Sequence, residues 1–142
     1  MKRMNDPNAV NVVLREVRGK GRGVFARRSF KRGELIERAA TVIMREKSWM
    51  RHGRKTILDD YAYASGARDQ NAAIVLGYVM LYNHSYSPNA LLDESDDGRH
   101  TFEIHARRAI RKGEEILVNY NGDPFVLKDD DGDIVWFRVK GK

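Results

Sequence analysis

The stretches YNHSYSPNA at residues 82–90 and GEEILVNY at residues 113–120 decide the fold of this chain. The first is rich in Asn, Ser and Pro, which favour loops and local hydrogen bonds between side chain and backbone. The second places Ile116, Val118 and Tyr120 on one face of a predicted strand, and an Asn-Gly turn signal follows the tyrosine. Together they predict a polar loop and a strand that ends on a tyrosine.

A glycine-rich segment, GKGRGVFA at residues 19–26, precedes both stretches. Glycines that alternate with two cations let the backbone approach a ligand closely. The spacing is not that of a dinucleotide fingerprint, and the segment lacks the lysine and hydroxyl of a phosphate loop. Taken alone, the segment predicts a turn.

The loop residues Asn83, His84 and Ser85 offer donors and acceptors for a polar ligand, or simply cap the end of a preceding helix. A metal site is not expected, because the four histidines are scattered and the chain has no cysteine. Tyr120 could bind a ligand or pack in the core with its hydroxyl at the rim.

The composition bounds the class of protein. The chain has 142 residues, of which 42% are hydrophobic and 32% charged, which favours one globular domain at residues 1–142. The polar N-terminus does not resemble a signal peptide, and no apolar run approaches the ~20 residues of a membrane span. We therefore expect a soluble intracellular protein with no membrane partner, in the cytoplasm, or in a host nucleus if the source is viral or a secreted effector.

The net charge of +6 invites a nucleic-acid interpretation. The basic residues are spread, however, in three interrupted groups at residues 15–32, 45–55 and 107–112, so direct binding to nucleic acid is not expected. Acidic residues cluster at 93–97 and 129–133, where they either attract a basic peptide or form solvated loops.

The apolar pattern predicts a mainly β chain without an internal repeat or linker. Near-helical spacing of apolar residues predicts one short helix at residues 71–81. A final apolar piece is expected at residues 134–139. Strands are predicted at residues 10–17, 24–28, 34–44, 57–64 and 101–106, and from residue 113.

In this order, GKGRGVFA, LYNHSYSPNA and GEEILVNY resemble the three motifs of the SET domain of protein-lysine methyltransferases. The resemblance covers about residues 10–137, and its length is similar to that of the compact stand-alone viral and bacterial forms. It implies a β-clip of small sheets with a short helix. It also implies a pseudoknot, in which the chain end threads beneath the Asn-His-Ser loop, and a possible homodimer.

The resemblance further implies S-adenosylmethionine as cofactor, no metal, and methylation of a lysine in a basic protein, either a histone tail or a histone-like protein. Tyr120 would be the catalytic residue beside the transferred methyl group. Departures from the family pattern include Met80, where many relatives have arginine, and the loss of a strand tyrosine near Arg38. On either side of Tyr120, Asn119 replaces the usual Asp and Asn121 the usual Gly. The cofactor-binding residues would be Lys20, Gly21, Arg22, Gly23, Tyr61, Asn83, His84 and Trp136.

Two other functions stay open on the sequence. One is a SET-fold module that binds a peptide or the cofactor without turnover. The other is a basic nucleic-acid-binding protein, whose affinity would fall steeply with salt.

Overall fold

The computed structural model describes residues 11–45, 57–65, 71–95 and 101–120. In these ranges the chain is built of short strands and two 3-10 helices, Ile57–Asp60 and Val79–Leu81. The strands are β1 Val12–Val17, β2 Gly21–Ala26, β3 Leu35–Arg45, β4 Tyr63–Ser65, β5 Asn71–Val75, β6 Asn83–His84, β7 Ala90–Glu94, β8 Thr101–Ala106 and β9 Leu117–Val118. They form three sheets, ordered β1-β2, β4-β5-β3-β8-β7 and β6-β9. The mainly β prediction is confirmed.

The core follows the alternation of apolar residues along the strands. In β8, Phe102, Ile104 and Ala106 are buried while the residues between them are partly exposed, as their period-two spacing predicts. Ile116 and Val118 are also fully buried. These strand faces pack into one hydrophobic cluster that also takes in β1, β2 and β3.

The chain contains an internal structural repeat, so the prediction of no repeat is wrong. The sequence ARRSFKRGELI at residues 26–36 is matched by ARRAIRKGEEI at residues 106–116. Each copy follows an antiparallel hairpin of the same register, with Val12 opposite Ala26 and Ala90 opposite Ala106. We call residues 11–36 the first unit and residues 89–116 the second unit.

The two units interlock through their turns. Phe30 and Ile110 exchange backbone hydrogen bonds of 2.8 and 3.0 Å. Gly113 N–H donates to the Ala26 carbonyl at 2.8 Å, and Gly33 N–H donates to Ala106, the matching residue, at 2.7 Å. The two turns, 80 positions apart in sequence, therefore lie against each other.

A glutamate closes each turn on itself. The Glu34 carboxylate accepts a hydrogen bond from Lys31 N–H at 2.8 Å, and Glu114 accepts one from Arg111 N–H at 2.9 Å. Gly33 and Gly113 have φ values of 81° and 86°, a left-handed conformation that suits glycine. The same local interactions thus build the same turn twice.

The helix predicted at residues 71–81 is wrong for most of its length. Residues 71–75 form β5, which pairs with both β3 and β4, and helical structure is limited to Val79–Leu81. Gly77 has a φ of 76°, which interrupts a right-handed helix. The short apolar run at residues 71–75 fits both helical and strand spacing. Its backbone pairing with β3 and β4 makes it a strand.

The segment predicted as a strand at residues 57–64 also differs, because it begins as the 3-10 helix Ile57–Asp60 and becomes strand at Tyr63. The predicted apolar piece at 134–139 and the predicted threading of the chain end lie outside the described residues. In the described ranges, no helix is long and apolar enough to cross a membrane.

The polar loop and the closing strand meet in the smallest sheet. Asn83 pairs with Leu117 and His84 with Val118 in parallel register. Ser85 N–H continues the pairing by donating to the Val118 carbonyl at 2.9 Å. This pairing positions both halves of the site.

Candidate active site

A cavity of about 300 Å³ lies between the β1-β2 hairpin, the 3-10 helix Val79–Leu81 and Tyr120. It brings together residues from the three sequence motifs, together with Tyr61. Its lining residues are Glu16, Lys20, Gly21, Arg22, Tyr61, Met80, Leu81, Asn83 and Tyr120. Most of the predicted site residues therefore share one cavity, although Gly23 and His84 do not line it.

Gly23 is buried behind the cavity wall, where its lack of a side chain allows a close approach. A Cβ at this position would lie 2.5 Å from Glu115 Oε1 and 2.9 Å from Asn83 Nδ2. Those two atoms are hydrogen-bonded to each other at 2.8 Å, and Asn83 Nδ2 also donates to the Arg22 carbonyl at 3.1 Å. Gly23 therefore makes room for the amide that joins the glycine-rich strand to the loop.

Tyr120 lies at the meeting point of the loop and the closing strand. Its hydroxyl donates a hydrogen bond to the Tyr82 carbonyl at 2.5 Å. Its ring stands edge-on to Tyr63, with centroids 6.4 Å apart. Burial, with smaller contributions from Tyr61 and Glu115, raises the pKa of Tyr120 to about 12, so the hydroxyl stays neutral at physiological pH.

His84 is buried beside Tyr120 and holds its backbone. His84 Nδ1 accepts a hydrogen bond from Tyr120 N–H at 3.1 Å, which makes Nδ1 the unprotonated nitrogen of the ring. The imidazole also packs edge-on against Tyr86 at 4.4 Å between centroids. Through these contacts His84 positions Tyr120. Binding of the cofactor by His84 stays a prediction. Trp136 lies outside the described residues.

Glu37 is a site-supporting residue that the sequence interpretation missed. Its carboxylate accepts hydrogen bonds from Tyr78 N–H at 2.7 Å and from the Tyr82 hydroxyl at 2.8 Å. Burial raises its pKa, although both hydrogen bonds act in the opposite direction. Glu37 thus ties β3 to both ends of the helix Val79–Leu81, which supplies Met80 and Leu81 to the cavity. An acidic residue between apolar strand positions was the available signal.

Asn89 holds the loop to the closing strand from the buried side. It is only 2% exposed. Its Nδ2 donates to the Glu115 carbonyl at 2.8 Å and to Glu114 Oε1 at 3.2 Å, while its Oδ1 accepts from Leu117 N–H at 2.8 Å. The side chain therefore satisfies backbone groups on the segment that leads to Tyr120.

Two of the departures from the family pattern, Met80 and Arg38, have different surroundings. Met80 lines the cavity, and its sulfur accepts a hydrogen bond from Val75 N–H at 3.2 Å. Arg38 is exposed and forms an ion pair with Glu103 at 2.5 Å. Among the described residues, no group of three or more histidines and carboxylates is arranged to hold a metal ion.

Comparisons with known proteins agree with this geometry. The family model of the SET domain matches residues 21–121. A histone-lysine N-methyltransferase of Schizosaccharomyces pombe, specific for H3 lysine-37, is 27% identical over 125 residues, which cover 88% of this chain and 76% of that protein. A crystal structure of a Plasmodium falciparum protein assigned as a histone methyltransferase superposes with a TM-score of 0.63 at 29% identity, covering 78% of this chain and 92% of that one.

The chain belongs to the SET-domain family, and its enzyme class is that of the protein-lysine methyltransferases. The predicted family and fold class are thereby confirmed. Both relatives come from eukaryotes, so the resemblance to viral and bacterial forms stays a prediction.

Proposed function

We propose that this protein transfers a methyl group from S-adenosylmethionine to a lysine side chain of a basic protein, a histone or a histone-like protein. The observation that carries the proposal is the single cavity shared by the glycine-rich segment, Asn83 and Tyr120. In a chain of this family, such a cavity supplies binding groups for a cofactor next to a tyrosine hydroxyl.

The residues of the cavity suit a ligand that carries both an amine and a carboxylate. Its volume of about 300 Å³ lies at the lower end of the ~300–1,000 Å³ typical of ligand pockets. Lys20 and Arg22 offer cations and backbone atoms, and Glu16 offers an anion. Asn83 Nδ2 is engaged inside the protein, which leaves Oδ1 available to accept a hydrogen bond from a ligand amine. When bound, S-adenosylmethionine supplies an activated methyl group; Trp136 is proposed to cover its adenine.

Tyr120 is proposed to orient the substrate amine. Its hydroxyl donates a hydrogen bond to the Tyr82 carbonyl, and a hydroxyl oxygen is also an acceptor, here proposed for a lysine N–H. A neutral hydroxyl also adds no negative charge that would hold the amine in its protonated form. This matters because only about 0.04% of a free lysine is neutral at pH 7, a penalty of roughly 4.6 kcal/mol.

The aromatic surroundings of Tyr120 are proposed to lower the pKa of the incoming lysine. Tyr63 stacks on Phe102 with centroids 5.8 Å apart and presents an edge to Tyr120. Burial also raises the pKa of Tyr63, so this hydroxyl too stays neutral. An ammonium group loses hydration in such a setting, and loss of hydration favours the neutral amine.

The substrate class rests on the names of the relatives, both of which concern histones. The acidic cluster at residues 93–97 is a proposed docking site for a basic tail, and Asp93 is exposed on β7, the edge strand of the large sheet. Reversing the charge of Asp93 should raise KM for a basic peptide, and an unchanged KM would remove this docking site. A homodimer is proposed from the resemblance to compact forms, and analytical ultracentrifugation would test it.

The decisive experiment offers labelled S-adenosylmethionine with core histones and, separately, with a bacterial lysate. Tyr120→Phe should lower methyl transfer by about 10²-fold or more while cofactor binding, measured by calorimetry, is retained. Tyr78→Phe is the matched control, because it removes a tyrosine hydroxyl that does not line the cavity. Cofactor binding without label on any protein would instead support a module that binds without turnover.

A further inference from the structure

The fold gathers two basic segments that are far apart in sequence. The groups at residues 15–32 and 107–112 meet at the interlocked turns, where Phe30 and Ile110 exchange backbone hydrogen bonds. Ser29 Oγ also accepts a hydrogen bond from Lys112 N–H at 3.2 Å. The expectation of scattered charge therefore does not describe these two groups in the folded protein.

Most of the cations at the turns form no ion pair with another described residue. Arg28 and Arg108 are paired with the glutamates of their own turns at 2.6 Å each. Five other cations are exposed, and none of them takes part in an ion pair among the described residues. We call them the two-turn surface: Arg27, Lys31, Arg32, Arg111 and Lys112.

The tips of both turns are open to solvent. A Cβ added at Gly33 or at Gly113 would meet no atom within 4 Å. Because the turns repeat one structure around the Phe30–Ile110 pair, their cations are repeated on both sides of that pair. The result is a set of positive charges spread over two exposed turns rather than a single point of charge.

We infer that the two-turn surface binds the phosphate backbone of duplex DNA, without reading its sequence. A duplex presents closely spaced negative charges along two strands, and each Lys or Arg that neutralises a phosphate releases a counterion. The surface has no helix or long ribbon that could enter a groove, so its contacts would position the protein without specifying bases.

An acidic membrane fits this surface less well. Stable attachment to a membrane normally combines cations with apolar groups that insert. The exposed large apolar side chains of the described residues, such as Val42, Ile57 and Leu76, all lie outside the two turns. The surface is also separate from the cavity, whose cations are Lys20 and Arg22.

DNA binding would place the enzyme next to basic proteins that are themselves held on DNA. This consequence rests on the proposed methyl transfer, whereas the binding does not. The two can therefore fail separately, because DNA binding is measured on the protein alone, without cofactor or turnover.

The test is fluorescence anisotropy with a labelled duplex of about 20 base pairs at about 50 to 200 mM salt. The Arg32→Gln/Arg111→Gln variant removes one charge from each turn, and adding Lys31→Gln and Lys112→Gln removes four. Both turns should persist, because Glu34 and Glu114 bind backbone N–H groups and the side chains of Arg28 and Arg108, and the variants remove none of these groups. The plot of log affinity against log salt should lose about 0.9 in slope for each phosphate contact removed, and affinity should fall about 10-fold or more in the double variant.

The matched control is Arg18→Gln/Arg45→Gln, which removes the same charge from exposed positions outside the turns. An equal loss of affinity in this control would overturn the assignment to the two-turn surface. So would the absence of duplex binding by the unmodified protein at about 50 mM salt. Binding to phosphatidylserine vesicles but not to the duplex would replace DNA with a membrane as the partner.

Discussion

The two units share a hairpin register, a turn and a closing glutamate, yet they contribute differently to the site. The first unit supplies the cavity wall from its hairpin, through Glu16 and residues 20–22. The second unit contributes through the segment after its turn, which forms the short strand Leu117–Val118 and then reaches Tyr120. The same local structure therefore serves two purposes, depending on which end of it faces the cavity.

The residue that opens each unit shows the difference most clearly. Asn11 and Asn89 occupy equivalent positions, and their carbonyls accept hydrogen bonds of 2.9 Å from Arg27 N–H and Arg107 N–H. The Asn11 side chain then binds only Arg28 among the described residues, at 2.9 Å. Asn89 is buried and satisfies backbone groups of the segment that leads to Tyr120. One position is thus a surface contact in one unit and a structural anchor in the other.

The strands that leave the two turns also differ. In the first unit the chain continues into β3, the long strand with β5 on one side and β8 on the other. In the second unit it forms only Leu117–Val118, paired with β6, before it reaches Tyr120. A short strand in a two-stranded sheet depends more on side-chain anchors than a central strand does, because it has fewer ladder hydrogen bonds.

The largest difference is expected between Asn89→Ala and Asn11→Ala. Asn89→Ala leaves Leu117 N–H and the Glu115 carbonyl buried without their partner, which should cost about 2–3 kcal/mol of unfolding free energy. Asn11→Ala should cost below about 1 kcal/mol, because the contact that it loses is exposed. Urea unfolding measures both, and equal losses would show that the units are energetically equivalent.

A smaller effect on activity is expected from Glu37→Gln. Tyr78 N–H and the Tyr82 hydroxyl bind different oxygens of Glu37, and glutamine replaces one of these acceptors with an NH2 donor, so the Tyr82 carbonyl that binds the Tyr120 hydroxyl should shift. We expect kcat to fall about 10-fold. Glu103→Gln is the control, since this strand carboxylate is paired on the outer face of the sheet.

A double-mutant cycle sharpens this prediction. Tyr82→Phe removes the other partner of the same hydrogen bond and keeps the Tyr82 backbone carbonyl. Combined with Glu37→Gln, it should lower kcat no further than either change alone. Additive losses would mean that Glu37 and Tyr82 act separately.

The turn glycines should behave alike in stability and differently in function. Gly33→Ala and Gly113→Ala each place a side chain in left-handed backbone, at a cost of about 1 kcal/mol, with no steric clash. Only Gly113→Ala should lower methyl transfer, severalfold, because its strand leads to Tyr120. Thermal unfolding and a labelled-methyl assay on the same samples would distinguish the two effects, and equal loss of activity would contradict the comparison.

The smallest effects concern the closing glutamates. Hydrogen bonds from the turn backbone and from an arginine lower the pKa of Glu34. Partial burial acts to raise the pKa of Glu114, but hydrogen bonds from Arg108 and the turn backbone lower it overall. Each carboxylate therefore stabilises the fold above the unfolded pKa of 4.5, and this contribution disappears as the pH falls through the folded value.

Glu34→Gln and Glu114→Gln should accordingly destabilise the protein at pH 7 by less than about 1 kcal/mol each, because both ion pairs are solvent-exposed. The difference from the unmodified protein should be smaller at about pH 3 than at pH 7, because it is lost as the pH falls through the folded pKa values, which lie below 4.5. Urea unfolding at the two pH values measures it. A difference that persists in acid would mean that the substitutions act through packing rather than charge.

The sequence predicted more of the candidate site than of its support. Tyr120, Asn83 and the glycine-rich segment were identified because their motifs are contiguous and ordered along the chain. Glu37 and Asn89 were not identified as supports, because their partners lie 41 or 45 and 25 to 28 positions away. No local pattern reports a hydrogen bond of that sequence separation.

What the sequence by itself determined is therefore local. Alternating apolar residues determined the buried face of β8, and a glycine and a glutamate at fixed spacing determined each turn. Three ordered motifs determined the family.

The tertiary structure alone decided the features that depend on distant partners. It made residues 71–75 a strand, since β3 and β4 supply the backbone partners on its two sides. It brought two basic groups together through the Phe30–Ile110 pair, and it aimed the Tyr120 hydroxyl at the Tyr82 carbonyl. The physical reason is common to all three: their stabilising contacts join residues that become neighbours only when the chain folds.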